Sequence, residues 1–277
     1  VKIRIYLCKT GDNLKKLLTL LVMTFALSCF ASEMVSTYKI AAYVDVETAK
    51  SKLSTAGFEV VGTYKATDTG TTILYTNSAM KAAAAKDIRG FNAIGRILVD
   101  DERKQVSIAN PLYFGAAFMQ KEFSKPSSLS VFNSLKKAFG PLKDSEDAGD
   151  AKGLSGYQFM MGMPSYEDMD VVGSGSTADL VAKVKAAKGT TAVVQISADR
   201  YVAFVELDKR TSGFVKKIGS QNAQILPYAV LIEEGQAKAL NAKYYIALSY
   251  PLLTMTEFMG IATVPDAITK SLQKIFK

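Results

Sequence analysis

Polar and apolar residues alternate through residues 35–43, and a period of two over that length predicts a strand. The period then changes. Val46, Ala49, Leu53 and Ala56 share one helical face, with Asp45 placed to cap the helix and Gly57 to end it. Residues 58–66 and 71–76 are rich in β-branched and aromatic side chains, and the intervening Thr-Asp-Thr-Gly predicts a hairpin. Asn77 or Ser78 caps an Ala-rich helix through Lys86, and residues 93–100 and 105–109 form a second hairpin about Glu102-Arg103. An apolar block opening at Asn110-Pro111 follows, then a helix over 128–139.

Residues 141–154 are charged, contain Gly and lack an apolar period, which predicts a linker. Beyond it the pattern predicts a strand at 157–164, a helix at 178–187 and a hairpin of 191–197 with 201–207 about Asp199-Arg200. A short basic helix at 211–218 and strands at 228–232 and 244–249 complete the order, with Glu233-Glu234-Gly235 turning the chain. Letters repeat as well as order. Asn-Pro-Leu-Tyr-Phe-Gly-Ala-Ala-Phe-Met at 110–119 is echoed by Tyr-Pro-Leu-Leu-Thr-Met-Thr-Glu-Phe-Met at 250–259, and Ser-Leu-Lys-Lys-Ala-Phe at 134–139 by Ser-Leu-Gln-Lys-Ile-Phe at 271–276. An echo of this kind predicts a duplicated module. In this alignment Pro111 and Pro251 each close a strand, because proline cannot continue a ladder. Asn110 then has no counterpart, its place being taken by Tyr250.

The expected fold class is α+β: two tandem related halves in β-α-β-β-α-β-β-α order, each a mainly antiparallel sheet with helices on one face. The expected boundaries are 1–31 for an upstream extension plus signal peptide, 32–140 for the first repeat, 141–154 for the linker and 155–277 for the second repeat. Pattern alone leaves open whether the halves share one sheet or form separate domains.

Three phrases carry a family resemblance: Ile-Leu-Tyr-Thr-Asn-Ser at 73–78, Ile-Leu-Val-Asp-Asp at 97–101 and Val-Ser-Ile-Ala-Asn-Pro at 106–111. With the element order they resemble a bacterial family, the domain of unknown function 302 family, over residues 38–119, with a fainter copy in the second half. The resemblance implies a compact β-α-β sheet domain capable of self-association and supplies no catalytic residues.

Residues 14–32 change the picture of where the chain acts. Leu-Lys-Lys, an apolar run at 17–27 and small residues at Cys29 and Ala31 make a secretory signal with cleavage ahead of Ser32. The run is shorter than the roughly 20 apolar residues of a membrane span. The pattern predicts translation beginning at Leu14, a periplasmic location and a mature chain without a transmembrane segment. Modification of Cys29 as a lipoprotein is the alternative. Cys8 and Cys29, the chain's two cysteines, both precede the cut, and the sequence has no His and no Trp. The mature chain then has no thiol or imidazole, and its core must hold without disulfides, which 48% hydrophobic composition permits. Of the net charge of +8, residues 1–31 hold five Lys/Arg against one Asp, so about +4 remains. Without a dense basic cluster, nucleic acid is not the expected partner.

The missing imidazole and thiol remove the usual base, the thiolate nucleophiles and the commonest zinc ligands. No cofactor and no catalytic residue are expected. Residues 144–150 fall short of a calcium loop, because Ala148 occupies a ligand position and Ser155 the closing one. The acidic pairs Asp100-Asp101 and Glu233-Glu234 occupy equivalent hairpin ends, where solvent exposure is expected. Met160, Met161, Met163 and Met169 form a thioether cluster that suits Cu(I) or, equally, a half-buried strand. The apolar blocks offer the main site: Tyr113, Phe114, Phe118 and Met119 facing Leu253, Phe258 and Met259 across a pseudo-twofold axis, lining a groove between the repeats. The groove would take a small apolar ligand or a protein partner, a second copy of the chain included. The expected function is therefore exported, non-catalytic binding. The alternatives are a periplasmic enzyme using Ser, Lys or carboxylate chemistry and a Met-based copper protein.

Overall fold

The computed structural model describes residues 33–277. The predicted signal peptide and upstream extension lie outside these residues. The first strand splits at Thr37 into β1 (Met34–Ser36) and β2 (Tyr38–Ala42), and the Thr37 N–H donates to Asp147 O at 2.8 Å. Helix α1 (Val46–Thr55) starts where Asp45 accepts from the Thr48 N–H, and Gly57 follows it at φ +84°. Strands β3 (Glu59–Lys65) and β4 (Gly70–Thr76), helix α2 (Ser78–Ala84) capped by Asn77, and strands β5 (Gly95–Asp100) and β6 (Gln105–Ala109) follow in the expected order.

Pro111 opens a helix. Asn110 accepts from the Leu112 N–H and caps α3 (Pro111–Met119), whose first turn needs no N–H at the proline. After α3, Ser124 caps α4 (Lys125–Phe139).

The segment expected to be a linker is paired at both ends. Strand β7 (Lys143–Asp144) joins β2, and β8 (Ala148–Asp150) pairs with β1. The expected strand at 157–164 is irregular chain instead. Gly162 at φ +84° turns it, and the Met163 N–H donates to Met160 O at 3.0 Å. Its alternating side chains mislead because Tyr157 packs on Tyr244 and Phe159 on Phe258 without any ladder.

The second half contains β9 (Asp170–Ser174), α5 (Thr177–Ala186), β10 (Thr190–Ser197), β11 (Arg200–Val205), the short helices α6 (Lys209–Ser212) and α7 (Phe214–Ile218), then β12 (Tyr228–Glu233) and β13 (Gln236–Ala239). The expected strand at 244–249 is helix α8 (Ala242–Ser249), capped by Asn241; α9 (Met255–Met259) and α10 (Val264–Gln273) close the chain. A short apolar run buried on all sides does not reveal its period, and the cap decides it.

Both sheets are antiparallel, in the orders β3-β4-β5-β6-β2-β7 and β10-β11-β12-β13-β9. Five strands therefore match one for one, which is the duplication in topological form. The matching places α3 against α8, each beginning at an asparagine cap. The alignment of residues 110–119 with 250–259 is thus corrected: Asn110 corresponds to Asn241, and Pro251 follows a helix rather than closing a strand.

One face of the first sheet carries Ile73, Ile97 and Ile108 against Leu53 of α1 and Leu135 of α4. The other face carries Tyr38, Leu74 and Leu98 into a core shared with the second half. Helices thus cover one face, as the pattern implied, and the partner half covers the other. The halves also exchange parts. The 3-10 turn Ser220–Ile225 packs on β4 and β5, while the 3-10 turn Gly90–Ala93 packs on β11 and β12. Met34–Lys277 forms one compact unit. Among the described residues, no helix is long and apolar enough to cross a membrane.

Candidate functional site

Helices α3 and α8 meet at the junction of the halves through two reciprocal hydrogen bonds. Tyr113 Oη donates to Leu248 O at 3.0 Å, and Tyr244 Oη donates to Ala117 O at 3.3 Å. Each tyrosine is the third residue after its cap and each carbonyl the seventh, so one contact is the pseudo-twofold image of the other.

Beside this contact lies a cavity of about 250 Å³ whose walls come from both halves. Phe114 and Phe118 of α3 line it, and so do their counterparts Tyr245 and Ser249 of α8. The floor is β5. Gly95 gives the Tyr75 ring its place, since a Cβ there would stand 2.1 Å from Tyr75 Cζ. Gly115 does the same for Ser128, whose Oγ would be 2.7 Å from a Cβ. Serines 127, 130 and 134 of α4 complete one side.

The charged group of this wall is Arg96, which is 8% exposed. Alternation along β5 sends Ile97 and Val99 to the helix-covered core and turns Arg96 with Leu98 towards the second half. There Nη1 donates to the carbonyls of Gln224, Ile225 and Pro227 at 2.9, 2.7 and 2.9 Å. The guanidinium lies 5.0 Å from the Phe204 ring centroid and 5.8 Å from that of Tyr245. Removing an ion from water costs several kcal/mol, and each desolvated cation–π contact returns about 2 kcal/mol. The carbonyls supply the rest of the compensation as dipoles. Among the described residues no carboxylate pairs with Arg96.

Two further polar atoms in the wall are buried without a hydrogen-bond partner: Gln224 Oε1 and Ser249 Oγ. Gln224 is fixed at its other end, where Nε2 donates to Ser107 Oγ at 2.9 Å. The Ser249 carbonyl is occupied by Tyr38 Oη at 2.9 Å and Asn222 Nδ2 at 3.0 Å, which sets that residue's backbone. Burial pushes the Tyr38 and Tyr245 hydroxyls up from the ordinary tyrosine value, so both stay neutral. The cavity thus combines aromatic walls, one cation and unsatisfied hydrogen-bonding groups.

Of the residues expected to line a groove, Phe114 and Phe118 reach this cavity. Tyr113 is spent on the inter-helix hydrogen bond, and Met119 is buried. Leu253 and Phe258 are buried in the core away from the cavity wall, whereas Met259 is 63% exposed. Their block falls after α8, so the second half contributes Gln224, Ile225, Tyr245 and Ser249 in its place. Arg96 was missed, although a charge in phase with Leu98 and one residue from the apolar run Ile97–Val99 was the available signal.

Of the methionine cluster, Met161 is 98% and Met160 47% exposed, while Met163 and Met169 pack partly buried on the core. Among the described residues no group of three or more His, Cys, Asp or Glu could hold a metal ion.

Of the acidic hairpin ends, Glu234 is exposed as expected and Asp101 is half-buried, but the first member of each pair is not solvated. Asp100 and Glu233 are each 1% exposed. Asp100 accepts from the Glu102 and Arg103 N–H groups and pairs with the Arg103 side chain at 3.0 Å. Glu233 pairs with Arg200 and accepts from the Ile88 N–H at 2.9 Å, and Arg200 reaches Asp87 at 2.7 Å. Both are structural ties, and the second joins the halves.

No protein-family model, curated protein or solved structure matches this chain.

Proposed function

We propose that the protein is an exported, non-catalytic binding protein that holds a small, largely apolar organic molecule where its two halves meet. One observation carries the reading: a cavity of about 250 Å³ walled by matching positions of both halves, Phe114 and Phe118 against Tyr245 and Ser249. A concave, mainly apolar site with a few placed polar groups at a junction of substructures is the usual form of a ligand pocket. The secretory pattern at 14–32 supports a periplasmic location. Serine chemistry needs a base beside the hydroxyl. Among the described residues lining the cavity there is no carboxylate and no amine, which favours binding over the hydrolytic alternative. The resemblance of the first half to the domain of unknown function 302 family, with the self-association it implies, belongs to the same proposal.

The test uses N-phenylnaphthylamine, a neutral probe that brightens when it leaves water. The mature protein should give saturable one-site fluorescence. Ser134→Phe, placed on the half-buried helix flank that lines the cavity, should abolish the signal with the fold intact. Absence of saturable binding by the unaltered protein would overturn the reading.

A further inference from the structure

We infer that the molecule held in this cavity is an apolar acid, a monoanion whose carboxylate is received by Arg96 and Ser249. The inference rests on the binding reading above and names the ligand's chemistry. Three observations converge on it.

The first is the state of Arg96. Its guanidinium lines the cavity at 8% exposure with Nη1 saturated by three backbone carbonyls. Those bonds fix the group's position. They do not neutralise its charge, and no described carboxylate does so. Guanidinium presents donors in a rigid fork that matches a carboxylate, and the fork edge left free by Nη1 is held in place before any ligand arrives.

The second is Ser249 Oγ, a buried hydroxyl without a partner in the same wall. It supplies a second donor to an anion. Gln224 Oε1, also buried and unpartnered, accepts an N–H or O–H carried by the same molecule. Two buried, unpartnered polar atoms in the wall that also holds a guanidinium without a carboxylate are unusual in a finished core, where buried polar atoms find partners.

The third is the rest of the wall. Phe114, Phe118, Tyr75 and the neutral Tyr245 provide faces for an aromatic or branched apolar body, with no negative side chain to repel its head group. Charge recognition at one end and apolar burial at the other specify an amphipathic acid over a neutral lipid or a multiply charged phosphate.

Calorimetry with naphthoate and its neutral isostere naphthamide tests this on the unaltered mature protein. Naphthoate should bind at least about tenfold tighter, as expected for a charge-assisted hydrogen-bonded contact. Arg96→Gln should remove that preference, bringing the naphthoate and naphthamide affinities to within about twofold of each other. Ser249→Ala, which deletes an oxygen with no structural partner, should weaken naphthoate several-fold without lowering thermal stability, and so serves if Arg96→Gln does not fold. Equal binding of both probes to the unaltered protein would overturn the acid while sparing the binding reading. Failure of both probes, together with failure of N-phenylnaphthylamine, would remove the binding reading itself.

Discussion

At the start of β5 the first half has Gly95, with the Tyr75 ring lying in the space a side chain would take; at the matching start of β12 the second half has Tyr228, opposite Val205. The next position is Arg96 in one half and Ala229 in the other. Five residues into the capped helix, Gly115 in α3 stands where α8 has Ile246, which is fully buried. In the first half the space at the two glycines is thus taken by neighbouring side chains, Tyr75 and Ser128, with Arg96 beside them. In the second it is filled with Tyr228, whose hydroxyl donates to Leu240 O at 2.7 Å. Filling a core adds stability through burial and dispersion. A repeat that keeps glycines and a buried charge at those positions forgoes that gain. The difference separates a half packed by its own side chains at these positions, the anchor of the fold, from the half that supplies most of the wall of a cavity both halves line.

The hairpin carboxylates test this division most strongly. Glu233 pairs with Arg200 where the side chains are 1% and 11% exposed, whereas Asp100 pairs with Arg103 at 2% and 37%. Glu233→Gln should cost roughly 3–5 kcal/mol, because it leaves a desolvated arginine short of its partner. Asp100→Asn should cost about 1–2 kcal/mol, since Arg103 is free to turn to water. Urea unfolding of both variants checks the order. Equal losses would mean that the second half is no more of an anchor than the first.

The reciprocal tyrosines should behave alike. Tyr113→Phe and Tyr244→Phe each remove one hydrogen bond between α3 and α8 and should cost about 1 kcal/mol apiece, agreeing within about 0.5 kcal/mol. The double variant should cost less than the sum if the two bonds support each other, because each single loss already weakens the bond that remains. A large inequality in chemical denaturation would break the pseudo-twofold relation at this contact.

The smallest effect concerns the segment that joins the halves. Burial raises the Asp147 carboxyl above its ordinary value, against the opposing hydrogen bond from Asn222. A group whose pKa is raised by folding contributes stability below the ordinary carboxylate range, and that contribution is lost as pH rises through the elevated value. Asp147→Asn stays neutral, so it should melt slightly higher than the unaltered protein at neutral pH, with the gap closing in acid. A gap that does not change with pH would show that titration of Asp147 has no part in it.

Hairpins, caps and the duplicated order could be read from the chain because they are local. Period-two runs, Asn77 and Asp45 at helix starts, and glycines at turns state their structure within a few residues. The repeat alignment was harder. The letters shared by 110–119 and 250–259 are apolar residues and prolines, which recur wherever helices are packed and bounded. The strand register instead pairs Asn110 with Asn241, and Tyr113 and Phe114 with Tyr244 and Tyr245. The six-residue run at 244–249 reads as a strand because it is buried all round and so shows no period of its own.

The sequence by itself determined most of the elements, the helix-then-hairpin order of both halves and the chemistry excluded by an absence of histidine, since these follow from composition and from interactions over a few residues. Tertiary structure alone decided the site. Arg96 is a strand residue like its neighbours until the carbonyls of 224–227 arrive from more than a hundred residues away and hold it. Ser249 and Gln224 are likewise ordinary polar residues until packing buries them unpaired. Desolvation gives these groups their meaning, and it depends on which surfaces meet in space.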